Sequence, residues 1–190
     1  MFYVHDDADD LFTSTGSDCN TTCRYLEAAP EDQSAGIVWA TTDAFCYNAG
    51  GTTDNNNCQT NSIYSGNTTA QATSRTAANG IGKGMANTNQ IYARVSNGGG
   101  AGGASTSAYA AGIAWAYDHN GKTDWHLPSR DEWRELYIQR ATVGGFLTDD
   151  YWSSSESSAT AAWVQNFITG LQNTRPKSTT NYVRPVRAFG

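Results

Sequence analysis

The last forty residues, 151–190, constrain this chain more than any other stretch. They run Tyr151-Trp-Ser-Ser-Ser-Glu, then Ala162-Trp-Val-Gln-Asn-Phe-Ile-Thr-Gly-Leu-Gln, and close on Asn181-Tyr-Val-Arg-Pro-Val-Arg-Ala-Phe. Side chains alternate across a strand. A strand here puts Trp163, Gln165 and Phe167 on one face, and Val164, Asn166 and Ile168 on the other. The first set reads as packing. The second is chemically miscellaneous, which fits an outward face. Trp125, Trp133, Trp152 and Trp163 all fall at inward spacings, so each is expected in the core.

A chain of 190 residues with six tryptophans can bury one core, and residues 1–190 read as one domain. Its net charge of −6 and pI near 4.9 argue against nucleic acid or anionic membrane as partner, since both would want a basic face. No apolar run approaches the roughly 20 residues of a membrane span. The chain opens directly on the strand-like Met1-Phe-Tyr-Val with no signal peptide, which reads either as a protein not exported by a cleaved signal or, the favoured expectation, as an excised domain with an added Met.

Four cysteines, Cys19, Cys23, Cys46 and Cys58, lie in the first third. Four allow three pairings. Cys19–Cys23 with Cys46–Cys58 is the simplest, and disulfides would imply an oxidising location. The rival, zinc, has unusual spacing and no histidine cluster to complete it. The acidic run Asp6-Asp-Ala-Asp-Asp reads as a solvated turn and lacks the Gly and spaced oxygens of a calcium loop. No metal or other cofactor is expected. Asn20-Thr-Thr and Asn67-Thr-Thr are glycosylation triplets of a kind that chance supplies in an Asn- and Thr-rich chain.

Phe2–Val4 and Gly36–Ala40 read as strands, and residues 41–82 as a polar, irregular excursion. Met85–Val95 reads as a helix capped by Asn87 or Thr88. A flexible glycine-rich loop starts at Asn97, and Ala108–Tyr117 reads as a second helix. After Leu127-Pro-Ser, the spacing Ser129-x-x-Glu132 is a capping box, with Trp133, Leu136, Tyr137 and Arg140 along one helix face. Strands follow at 151–154, 161–168, 171–175 and 182–189. Helices first and strands afterwards suit an α+β class. Arg184 and Arg187, flanking Pro185, are expected to form salt bridges within the scaffold.

Gly121-Lys-Thr-Asp-Trp-His-Leu-Pro-Ser-Arg-Asp-Glu-Trp, followed by Tyr151-Trp-Ser-Ser-Ser-Glu, Ala162-Trp, Phe167, Gly170 and Val183-Arg-Pro-Val-Arg, closely resembles the Lcl-type C-terminal domain. That family is similar to the formylglycine-generating, sulfatase-modifying branch of the C-type lectin fold. The resemblance implies a loop-rich C-type lectin fold with its first and last strands paired. The C-terminal segment also resembles the variable region of a diversity-generating retroelement protein, where mutated adenines turn Asn codons into many residue types other than Lys, Glu, Gln, Met and Trp. The positions this resemblance marks as variable are Ser157, Ser158, Thr160, Ala161, Val164, Asn166, Ile168, Thr169, Leu171, Asn173, Thr174, Arg175, Pro176, Ser178 and Thr179. Between them Trp163, Gln165, Phe167, Gly170, Gln172, Lys177 and Tyr182 would be fixed.

The implied function is ligand-binding display on a cell or virion surface, with a protein or glycan as target. Rigid presentation would limit the entropy lost on binding. A non-variable adhesion or structural domain of the same fold is the alternative, and a calcium-dependent lectin is a third. The lectin reading lacks the Glu-Pro-Asn, Gln-Pro-Asp and Trp-Asn-Asp motifs. An enzyme is not expected. Formylglycine chemistry needs C-terminal cysteines, yet every cysteine precedes residue 60. His5, His119 and His126 have no G-x-S-x-G partner, and Ser129 is explained as a cap.

Overall fold

The computed structural model describes residues 1–4, 11–42, 57–60, 62–63, 77–96 and 103–190. Cys46, His5, the acidic run at 6–10, the Asn67 triplet and most of the glycine-rich loop lie outside them.

The chain is mixed α+β with two sheets. One sheet holds β1 (Tyr3–Val4), β2 (Tyr25–Ala28), β9 (Val186–Phe189) and β4 (Trp125–His126), in that order. The other runs β3 (Ser34–Val38), β8 (Thr180–Val183), β5 (Asp150–Glu156), β6 (Ala161–Asn166), β7 (Gln172–Pro176). Among the described residues the strand pairs are antiparallel except β5 with β8, where Tyr151 meets Tyr182. Helices α1 (Gly84–Val95), α2 (Ala110–Trp115), α3 (Arg130–Ile138) and α4 (Arg140–Val143), with a 3-10 turn at Thr106–Ala108, complete the secondary structure of the described residues.

Two expectations about strands need correction. The first strand does not pair with the last. β2 lies between them, with Leu26 opposite both Tyr3 and Ala188. The expected strand 182–189 is two strands in different sheets. Pro185 has no N–H to donate, and the chain crosses from one sheet to the other at Arg184-Pro185. The crossing is stapled from both sides. Ala29 N–H donates to the Pro185 carbonyl (2.8 Å) and Gln33 N–H to that of Val183 (2.8 Å). The buried Arg184 side chain bonds Asp32 (2.6 Å), the Ala29 carbonyl (3.0 Å) and the Gly145 carbonyl (2.5 Å).

The helix starts also discriminate between signals. Ser129 and Glu132 form the expected capping box, with Ser129 N–H on Glu132 Oε2 at 2.8 Å. Glu132 Oε1 additionally accepts from Gly82 N–H (2.9 Å), so this one carboxylate fixes the entrances to both α3 and α1. In α1, by contrast, Asn87 and Thr88 are not caps; Lys83 holds that position. Both are buried inside the helix. Asn87 donates to the Ala78 carbonyl (2.7 Å) and Thr88 Oγ1 accepts from Leu127 N–H (3.0 Å). α2 is shorter than expected, and the buried Tyr109 just before it is within hydrogen-bond distance of Ser96 Oγ (2.8 Å).

The five-stranded sheet separates two cores. Trp152 lies opposite Val164 and Tyr151 opposite Gln165, so consecutive β5 residues face opposite ways. Trp152, Val164, Ala162 and Val183 pack with Trp39, Ile91, Tyr109 and Leu127. Tyr151 and Phe167 pack with Trp133, Leu136, Leu26 and Val186. A fully buried side chain of this size stabilises by about 1.5–3 kcal/mol, so the central strands are held from both sides.

Candidate ligand-binding surface on the last hairpin

β6 and β7 form a hairpin whose outer strand is the edge of the sheet. The turn between them is locked by its own residues. Asn166 Oδ1 accepts from Ile168 N–H (3.0 Å), Thr169 N–H (2.7 Å) and Thr169 Oγ1 (2.9 Å). Phe167 drops into a nest of rings made by Trp133, Tyr137, Phe146 and Tyr151, its centroid 4.5 Å from that of Phe146. Gly170 has φ +77°, and a Cβ there would lie 2.7 Å from Tyr137 Oη. Only glycine suits both the backbone and the space.

Between these anchors the side chains emerge. Ile168 is 66% exposed and Leu171 61%. Thr160, Thr169, Thr174, Arg175, Pro176 and Ser178 are also exposed, while Ser157, Ser158, Ala161, Asn166, Asn173 and Thr179 are half-buried. Val164 is the correction. It was expected to face outward but is 1% exposed and part of the Trp152 core. The expected alternation fails because the sheet is covered on both faces at β6. Trp163, expected in the core, is only half-buried beneath α3, with the Arg130 guanidinium 5.4 Å from its ring.

The exposed positions do not form one flat face. Val164 opposes Asn173 and Ala162 opposes Arg175, whereas Trp163 opposes Thr174 and Ala161 opposes Pro176. Asn173 and Arg175 therefore point to one side of the edge strand, Thr174 and Pro176 to the other. The candidate surface wraps the rim of the sheet. Besides Thr169, whose hydroxyl helps lock the turn, two of its members also serve the scaffold. Asp150, nearly buried, receives Asn166 Nδ2 on one oxygen (2.7 Å) and Arg175 Nε on the other (2.7 Å). Asp150 had no role in the sequence reading. Its signal was present only as register, since it lies opposite Asn166.

The base of the hairpin is held by a pair that sequence reading did not connect. Lys177 Nζ lies 2.5 Å from Glu156 Oε1, both side chains fully buried. Glu156 also accepts from Ser62 Oγ (2.6 Å) and Ile63 N–H (2.9 Å), and Lys177 reaches the Cys58 carbonyl (3.3 Å). The start and end of the hairpin are thus fastened to the segment that contains Cys58. Cys58 is disulfide-bonded, and Cys19 pairs with Cys23.

Arg187 is bonded to Glu27 (2.9 Å), Asp124 and Asp18, which accounts for it, like Arg184, within the scaffold. Tyr151 is buried, which pushes its phenol upward. Leu147 N–H donates to the hydroxyl and opposes that shift, while the hydroxyl's own bond to Asp32 (2.7 Å) adds to it. His126 is fully buried with Nε2 3.3 Å from Glu132 Oε2. Ser129 is occupied as a cap.

The fold and this surface define a class: a two-sheet α+β domain that carries a rigid hairpin with an unevenly filled rim. A family model, the Lcl C-terminal domain, matches residues 28–187, and the chain belongs to that family. No curated protein matches it. Among the described residues no helix is long and apolar enough to cross a membrane.

Proposed function

We propose that this domain is a ligand-binding display module of C-type lectin fold, in which the β6–β7 hairpin and its flanking loops recognise a protein or glycan, and that a retroelement diversifies this region. The observation that carries the reading is the pairing of locked and open positions on one turn. Phe167 and Gly170 are fixed by packing, while Ile168 and Leu171 stand in solvent. Exposed apolar groups held on a rigid frame mark interaction sites. Seven positions carry the variation best: Thr160, Ile168, Thr169, Leu171, Thr174, Pro176 and Ser178. The Cys19–Cys23 disulfide fits an oxidising location such as a cell or virion surface.

A display library tests this directly. Randomising those seven positions should leave most clones folded and yield binders to a panel of proteins and glycans. Randomising Phe167, Gly170, Gln172 and Lys177 should give unfolded clones. Equal folding in both libraries, or no binders from the first, would refute the display surface. The diversification claim has its own test. The surrounding DNA should hold a near-copy of the region encoding 151–190 that differs at adenines, beside a reverse transcriptase.

The bonds of Asn166 and Arg175 to Asp150 favour a second reading, a fixed adhesion or structural surface of the same fold. In that reading, substituting Asn166 would cost stability, and no template copy would exist. A calcium-dependent lectin would lose binding on addition of a chelator; neither of the other readings would.

A further inference from the structure

Beside the hairpin turn lies a cavity of about 290 Å3 lined by Arg140, Ala141, Phe146, Leu147, Thr148 and Phe167. None of these residues belongs to the positions marked as variable. Its apolar floor is Phe146 stacked on Phe167, and Leu147 is 52% exposed at its wall. The segment that shapes it is held rigidly. Arg184 bonds the Gly145 carbonyl and Tyr151 Oη accepts from Leu147 N–H.

Arg140 supplies the one cation of the lining. Its guanidinium lies 4.0 Å from the Tyr137 ring centroid, and Nη1 donates to the Tyr137 carbonyl at 2.9 Å. Among the described residues no carboxylate is in ion-pair contact with it. The next acidic residue along the chain, Asp149, accepts from the Asp150 N–H (2.7 Å). The Tyr137 ring and carbonyl hold the guanidinium at the cavity mouth, and its remaining donors can take a carboxylate in a bidentate pair.

We infer that this cavity binds the C-terminal residue of a polypeptide partner, its apolar side chain on Phe146 and Phe167 and its terminal carboxylate on Arg140. The inference rests on the display reading and names a constant subsite within it. Small-molecule sites span about 300–1,000 Å3, so this cavity takes about one residue. Within a polypeptide, an apolar side chain and a carboxylate meet on one residue only at the C-terminus. A polypeptide rather than a free acid is chosen as occupant because Ile168, next in the chain to the lining residue Phe167, is 66% exposed, and a ligand that covers both is larger than the cavity.

The test uses the full chain labelled with 15N and three probes: the peptide acetyl-Ser-Gly-Ser-Phe with a free carboxylate, the same peptide as its C-terminal amide, and N-acetylphenylalanine. The acid peptide should shift the amides of Gly144, Gly145, Leu147 and Thr148 and bind at least about tenfold more tightly than the amide peptide, the difference one charge-assisted contact supplies. Arg140→Gln should abolish that discrimination at unchanged Tm, and Arg140→Lys should keep part of it. Equal affinity for acid and amide, or shifts confined to other residues, overturns the site. N-acetylphenylalanine binding as tightly as the acid peptide overturns the polypeptide assignment. Library selections at the seven rim positions can succeed or fail independently of these outcomes, so the two proposals fail separately.

Discussion

Lys177→Met removes one ammonium from the interior and keeps nearly the same length of chain. What it leaves behind decides the cost. Glu156 would remain fully buried, with Ser62 Oγ and Ile63 N–H still on it but the Lys177 charge gone. Taking one partner from a buried pair costs about 3–5 kcal/mol, because the surviving charge has lost its compensation. A 1 kcal/mol loss lowers Tm by about 2–4 °C in a domain of this size. The expected drop is therefore about 6–20 °C, measured by circular dichroism with urea titration as a second reading. Glu156→Gln on the Lys177→Met background should recover most of that loss, since an amide can still accept from Ile63 N–H and carries no charge. A double-mutant cycle should return a coupling of about 2 kcal/mol or more. A loss below about 1 kcal/mol for Lys177→Met would refute the reasoning, because it would mean the pair is hydrated and the hairpin base is held some other way.

Val164→Ser should cost about 2–3 kcal/mol by urea unfolding, as a core truncation that also buries a hydroxyl, whereas Ile168→Ser should stay within about 0.5 kcal/mol. Gly170→Ala combines positive φ with a contact against Tyr137 and should lose about 2 kcal/mol or more; Tyr137→Ala in the same chain should return the contact part and leave the backbone part. Burial raises the phenols of Tyr109 and Tyr151 above their ordinary range. Their stabilisation is complete below the unfolded value of about 10 and is lost as pH rises beyond it, since the unfolded chain then ionises first. A urea series from pH 8 to 12 should show stability falling above about pH 10, and Tyr151→Phe should shallow that slope.

What the sequence revealed about this fold depended on whether the signal was local. The capping box at Ser129 and Glu132 is complete within four residues, and it formed as read. The strands expected at 151–154, 161–168 and 171–175 correspond to β5, β6 and β7, whereas the one expected at 182–189 is split between two sheets. The alternation at Val164 misled because period two says which residues share a face, not which face meets solvent. With a core on each side of β6, the small aliphatic residue was as much inside as the aromatic ones. Asn87 and Thr88 have good cap chemistry, but their partners Ala78 and Leu127 come from other elements, so the sequence could not place them inside α1. The Asp150 cluster and the Arg140 cavity were equally hidden, because each joins segments that meet only in the folded chain.

Charged residues are scarce here, at 16%, and several of them are spent on closing distance. Arg184 with Asp32 joins segments 152 residues apart, Arg187 with Glu27 joins 160, and Glu156 with Ser62 joins 94. Chain closure over such spans costs configurational entropy that grows only slowly with length, so the difficulty lies in bringing together the right pair rather than in the length itself. Apolar contacts are non-directional and would accept several registers. An arginine fork accepts few. Replacing Arg184 and Asp32 together with apolar residues of similar volume removes the charges as a pair but takes partners from the Ala29 and Gly145 carbonyls and the Tyr151 hydroxyl, at about 1 kcal/mol or more each, while the crossing at Pro185 loses the contact that fixes which carbonyls it faces. The expected signature is a lowered urea midpoint with broadened amide resonances at Ala29, Gln33 and Gly145; sharp resonances in that variant would show that packing alone specifies the crossing.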